Sequence, residues 1–331
     1  MIKKEIVWIR NLRVVASIAV VVVHVCSQSL LHFPPKVFLG WETLFLVNAL
    51  SHTAIPIFVM ISGALVLAKN PSESGRRVKK IIFLIIFWSI FYTVFNFFFN
   101  DLTITFRHFA GSLVRGNAFF HLYYLYIVVG LYLITPLLQW IMKNNQKRTL
   151  ILTLVTIAIP MVWVLIVFII KKQVIDPMVS LLFLEYIGYY VLGYYLSTYL
   201  FQKRILKMFW LVFIILSGVI FTYVTIKITH NLSYPYHYLS VGVLISSVGL
   251  FLLFQHKLNS KPFLTKIKSS ETLGIYLLHP VLLILLVRFT PINGSLFHPL
   301  VGLTLTVFLV YFCSWLIVIM VKKTVFKSMV N

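Results

Sequence analysis

Ten stretches of this chain are each long and apolar enough to cross a lipid bilayer, and little lies between them. They run Leu12 to Leu31, Leu44 to Ala68, Ile81 to Phe99, Leu122 to Met142, Leu150 to Ile170, Ser180 to Leu200, Met208 to Lys227, Tyr236 to Phe254, Leu273 to Phe289 and Pro299 to Val321. A bilayer core about 30 Å thick takes roughly 20 residues of helix to span. The expected fold class is therefore all-α, a polytopic integral membrane protein with about ten transmembrane helices. With 60% hydrophobic and 11% charged residues, the chain has too little polar surface for a soluble globule. No segment between the stretches is long enough to fold alone, so residues 1–331 are read as a single transmembrane domain. The first stretch is full length and lacks a small-residue cleavage site after it, so it is expected to be a retained helix and not a signal peptide.

Charge orients the bundle. If the stretches cross alternately, only Lys36, Arg107, Arg115, Lys171, Lys172, Lys227 and Arg288 of the 29 Lys and Arg fall on the side opposite the N-terminus. Positive charge concentrates on the cytoplasmic side of membrane proteins, so both termini are expected there, in keeping with an even number of spans. The net charge of +22 then reports topology and contact with anionic lipid. Nucleic acid is not an expected partner, because the basic residues are spread over short loops. The run Gly75-Arg76-Arg77-Val78-Lys79-Lys80 reads either as a stop-transfer anchor or as a phosphate-binding cluster. Cys26 and Cys313 both fall in apolar stretches, which supports neither a disulfide framework nor a metal site.

Polar residues inside the stretches point to chemistry. Arg13 and His24 are eleven residues apart, close to three helical turns, so they share a face with His24 about 16 Å deeper. An ionisable group near mid-bilayer is costly unless it faces a polar interior. Ser17, Ser27 and Gln28 extend the same stripe. A histidine buried for packing alone is the competing reading. The second stretch holds Pro56 and Ser62-Gly63, which predict a kinked, closely packed helix and also fit a plain structural kink. Glu185 is an acid well inside the sixth stretch, where a histidine or arginine partner is expected. His121 opens the fourth stretch beside Tyr123 and Tyr124, as an interfacial anchor would. His279 lies within the ninth.

These residues resemble the bacterial acyltransferase 3 family of multi-spanning membrane acyltransferases. The resemblance rests on Trp8-Ile9-Arg10-Asn11-Leu12-Arg13 followed by His24, on Ile61-Ser62-Gly63, on His121-Leu122-Tyr123-Tyr124 with Leu133-Ile134-Thr135-Pro136-Leu137, and on Gly274-Ile275-Tyr276-Leu277-Leu278-His279. It implies transfer of an acyl group, usually acetyl from acetyl-CoA as co-substrate, to a hydroxyl of a cell-surface glycan or its lipid-linked precursor. It also implies a multi-pass place in the bacterial inner membrane. By the same resemblance His24 is the essential catalytic residue and Arg13 its partner. Glu185 stands where a stand-alone relative also has an acid, and Ser62, His121, Tyr276 and His279 are pocket residues that would meet substrate.

The chemistry of the residues agrees with that expectation. A sugar hydroxyl is a poor nucleophile, and a neutral imidazole can act as its general base while the thioester is attacked. Arg13 offers a fixed charge to a coenzyme phosphate or a developing oxyanion, and Arg76 and Arg77 could hold the remaining phosphates. Expected partners are the glycan acceptor and membrane lipids, with a second copy of the chain left open; no metal is called for. The alternative function is an exporter or flippase of a surface polysaccharide, since a cavity lined by His, Arg, Glu and Tyr also suits transport.

Overall fold

The computed structural model describes residues 6–32, 38–69, 74–99, 105–170, 181–200, 207–262, 265–292 and 298–330, and every regular element among them is helical. In chain order these are α1 (Val7–His32), α2 (Phe38–Ser51), α3 (Ala54–Val66), α4 (Ser74–Phe99), α5 (Phe106–Arg115), α6 (Tyr123–Met142), α7 (Gln146–Ile169), α8 (Phe183–Tyr195), α9 (Met208–Thr229), α10 (Val241–His256), α11 (Thr272–Phe289) and α12 (Pro299–Lys322). Eight segments among the described residues are long and apolar enough to cross a membrane, with α2 and α3 counting together as one. The chain is an all-helical polytopic membrane protein.

The other two expected spans are shorter. α8 starts at Phe183 and passes into a π-helical turn, Leu196–Leu200. α10 has 16 residues, about 24 Å of rise, because the stretch drawn from Tyr236 begins inside an irregular segment rather than a helix. Tyr234, Tyr236 and Leu239 of that segment are buried as core residues, which is why its hydropathy passes for that of a span.

The described residues of 1–58 and 203–331 form one compact unit. α1 is its central element, in contact with α2, α10, α11 and α12. Leu12, Val14, Ala16, Val21 and Val25 are fully buried along it. Its run of valines is helical despite their modest helix propensity, because a bilayer leaves the backbone no partner but itself. α9 and α10 pack backbone to backbone. A Cβ on Gly218 would stand 2.5 Å from the Gly242 carbonyl oxygen, and one on Gly242 would stand 2.6 Å from the Gly218 carbonyl oxygen. Only small residues permit that approach, and the Ser246 hydroxyl uses it to donate to the Ile215 carbonyl at 3.2 Å.

The described residues of 59–202 form the second unit. Here α4 packs on α6, α6 on α8 and α8 on α7. The C-terminal part of α3 meets α8 through a reciprocal pair, with Gly63 against the Tyr190 carbonyl and Gly193 against the Met60 carbonyl. Gln139 of α6 closes the end of α3, donating from Nε2 to the Leu67 and Lys69 carbonyls at 3.0 and 2.7 Å. A side chain donor of this kind caps the carbonyl end of a helix.

Candidate active site

The first unit holds a cluster of three histidines. His24 on α1 and His279 on α11 stack with ring centroids 5.1 Å apart and planes 30° from parallel. His279 is fully buried, and its Nδ1 lies 2.7 Å from the Tyr276 carbonyl and 3.3 Å from that of Ile275. Carbonyls only accept, so Nδ1 carries the proton and Nε2 keeps the lone pair. His24 is half-buried. The Tyr276 ring lies 6.0 Å from that of His279 and is itself buried.

His52 is the third member, within electrostatic range of His24. It sits in the turn that separates α2 from α3, part-way through the span Glu42–Val66. The break is closed locally. Ser51 Oγ donates to the Val47 carbonyl, Thr53 Oγ1 to the Leu50 carbonyl, and His52 Nδ1 to the Asn48 carbonyl at 2.8 Å. The imidazole stacks on Tyr236, with centroids 4.6 Å apart and planes 8° from parallel. The sequence reading passed over His52, although it has the same mark that singled out His24, an ionisable residue deep in an apolar span.

Toward the N-terminal end of α1 the polar groups become cationic and grip a loop. Arg10 donates from Nη2 to the Thr265 and Ile267 carbonyls at 3.0 and 2.7 Å, and Asn11 donates from Nδ2 to those of Leu258 and Lys261, both at 3.0 Å. Arg13 Nη1 reaches Ser269 Oγ at 3.2 Å. One turn on, Glu271 is buried and accepts from the Lys268 backbone N–H at 3.0 Å and from Trp315 Nε1 at 2.9 Å. Arg13 therefore lies three helical turns from His24, beside Ser269 and the Thr265 and Ile267 carbonyls that Arg10 holds. A separate cavity of about 780 Å3 lies along α12, lined largely by apolar groups such as Ile18, Val22, Leu303 and Val307. Neither His24 nor His279 lines it.

The remaining expected site residues lie in the second unit. Ser62 is buried beside the Gly63 contact. Arg76 and Arg77 stand in the first turn of α4 but differ: Arg76 is exposed, whereas Arg77 is half-buried and within electrostatic range of Tyr190. The Tyr190 hydroxyl shares a hydrogen bond with Thr135 Oγ1 at 2.9 Å. His121 is not an exposed interfacial anchor. It is 1% exposed, edge-on to Tyr92 at 4.9 Å and to Phe119 at 5.6 Å. Glu185 is half-buried in the first turn of α8, which starts at Phe183. An acid is favoured there by the unpaired amides of a helix start.

A family profile described as an acyltransferase domain matches residues 6–319, nearly the whole chain. No curated protein and no solved structure gives a match.

Proposed function

The chain belongs to this family of acyltransferase domains, and from that premise we propose that it is an O-acyltransferase of the bacterial inner membrane. In this reading it moves an acetyl group from cytoplasmic acetyl-CoA to a hydroxyl of a surface glycan or its lipid-linked precursor. Its length and motifs resemble the stand-alone enterobacterial common antigen O-acetyltransferase, which adds support to an acetyl group and a glycan acceptor.

The observation that carries the reading is the stacked pair of His24 and His279 inside the first unit. His279 has its tautomer set by backbone carbonyls, and its ring stacks on that of His24. His24 would take the proton of the acceptor hydroxyl as the oxygen attacks the thioester carbon. The carbon–sulfur bond then breaks, and the same proton passes to the departing thiolate, so the step yields ester and free coenzyme thiol with nothing left over. Arg13, in the first unit, would provide fixed positive charge for the donor, and Arg76 and Arg77, in the second, are each proposed as phosphate contacts. In the first unit Tyr276 and His279 would meet substrate beside His24; in the second, Ser62 and His121 are proposed substrate contacts and Glu185 would orient a base or the acceptor.

The test against an exporter is binding and turnover in detergent. Purified protein should bind acetyl-CoA and hydrolyse or transfer its acetyl group without an ion gradient. A transporter has no reason to recognise a thioester. Absence of affinity for acetyl-CoA, together with a glycan that fails to cross the membrane in a deletion strain, would replace the acyltransferase reading with export.

A further inference from the structure

We propose that His52, clamped by Tyr236, is the binding residue for the acceptor, holding a carbohydrate hydroxyl next to the one that His24 deprotonates. The proposal rests on the acyltransferase reading and adds to it the place and chemistry of the acceptor subsite.

Position within the first unit comes first. α10 runs from Val241, beside the segment that carries Tyr236, to His256, beside the loop gripped by Asn11 through the Leu258 and Lys261 carbonyls. The two ends of α10 are about 24 Å apart. Arg10, Asn11 and Arg13 gather at one end, whereas His52 and Tyr236 gather toward the other. A coenzyme with several phosphates belongs at the cationic end. At the far end the cation on α9, Lys227, is already paired with Glu42, which also accepts from the Tyr223 hydroxyl. Among the described residues, His52 packs on Tyr236 and Tyr238 and bonds the Asn48 carbonyl, aromatic and hydrogen-bonding groups that suit an uncharged polyhydroxyl ligand.

The imidazole is also prepared for that role. Its Nδ1 proton is committed to the Asn48 carbonyl, so Nε2 is an acceptor of fixed direction. Stacking on Tyr236 holds the plane of the ring, and Tyr238 lies 5.9 Å away at 36°. Tyr236 is anchored in turn by its hydroxyl, which donates to the Phe45 carbonyl at 3.1 Å. Both elements that meet here are irregular backbone: the break between α2 and α3, and the segment 231–240. At membrane depth such backbone is tolerated where it is covered by protein or lines a polar space, and broken helices commonly mark substrate sites.

His52→Asn keeps a donor for the Asn48 carbonyl and removes the acceptor at the Nε2 position; His52→Gln returns a polar atom there. Two readouts separate the roles. The first is acetyl-CoA affinity of the purified protein by calorimetry. The second is acetyl content of the surface glycan, by mass spectrometry, from cells with matched protein levels. We expect His52→Asn to leave donor affinity within twofold and to lower glycan acetylation at least tenfold, with partial recovery in His52→Gln. Tyr236→Phe, which keeps the ring but frees it from Phe45, should show a smaller loss of the same kind and serves if His52→Asn does not fold. Wild-type acetylation in these variants, or parallel loss of donor affinity, would overturn the proposal. A wild-type protein that neither binds acetyl-CoA nor acetylates a glycan would instead overturn the acyltransferase reading itself.

Discussion

At the scale of single residues, the proposed chemistry turns on His24. His24→Ala should leave the protein inserted and reduce glycan acylation by about two to four orders of magnitude, the usual contribution of a general base. Mass spectrometry of the glycan at matched expression checks this, and wild-type acylation would remove His24 from the mechanism. Glu185→Gln should keep acetyl-CoA binding and lose transfer, if the acid orients a base or acceptor hydroxyl rather than the coenzyme. Normal acylation in that variant would leave Glu185 as a helix-start acid alone. The polar face of α1 was legible in the sequence because Arg13 and His24 interrupt an apolar run at helical spacing. The partner ring was not, since His279 lies 255 positions further on and no periodicity links the two. His52 was missed for another reason. Pro56 and Ser62-Gly63 predict a kink further along the second stretch, whereas the helix breaks at His52 itself.

At the scale of helices, the start of α4 offers a comparison between neighbours. Arg77 turns inward toward Tyr190 while Arg76 remains exposed. Arg77→Ala should therefore raise the donor concentration required for half-maximal rate more than Arg76→Ala does, with little change in maximal rate for either. Such a pattern marks contacts made equally in ground and transition state. Vesicle kinetics with varied acetyl-CoA would show it, and an unchanged donor dependence in both would count against a phosphate role. The α9–α10 contact predicts a different loss. Gly218→Leu would drive a side chain into the Gly242 carbonyl and the Ser246 hydroxyl, and overpacking of this sort costs about 1–3 kcal/mol or more. A lowered midpoint of thermal unfolding in detergent would register it; an unchanged midpoint would mean that the helices separate freely. Hydropathy located the eight long spans well. It overran the start of α10 because the segment before it, with Tyr234, Tyr236 and Leu239, is buried without being helical. α8 begins at Phe183, three residues after the drawn start, which puts Glu185 in its first turn.

At the scale of the whole chain, the distribution of Lys and Arg predicts that both ends are cytoplasmic. A reporter enzyme active only in the cytoplasm, fused after Asn331, should therefore be active, and one active only outside should be silent. The opposite result would reverse the side from which each substrate is expected to arrive. The loop grip at the start of α1 bears on how the protein is made. Arg10 and Asn11 find their acceptors 247 to 257 positions later in the chain, and the stacking partner of His24 is as distant. During synthesis, α1 enters the membrane long before any of these partners exists. Its polar face must wait in water, in the translocon or against provisional neighbours until the last third of the protein is inserted. The stacked histidine pair is thus among the last features to form, and a ribosome that stops before α11 leaves an inserted chain without it.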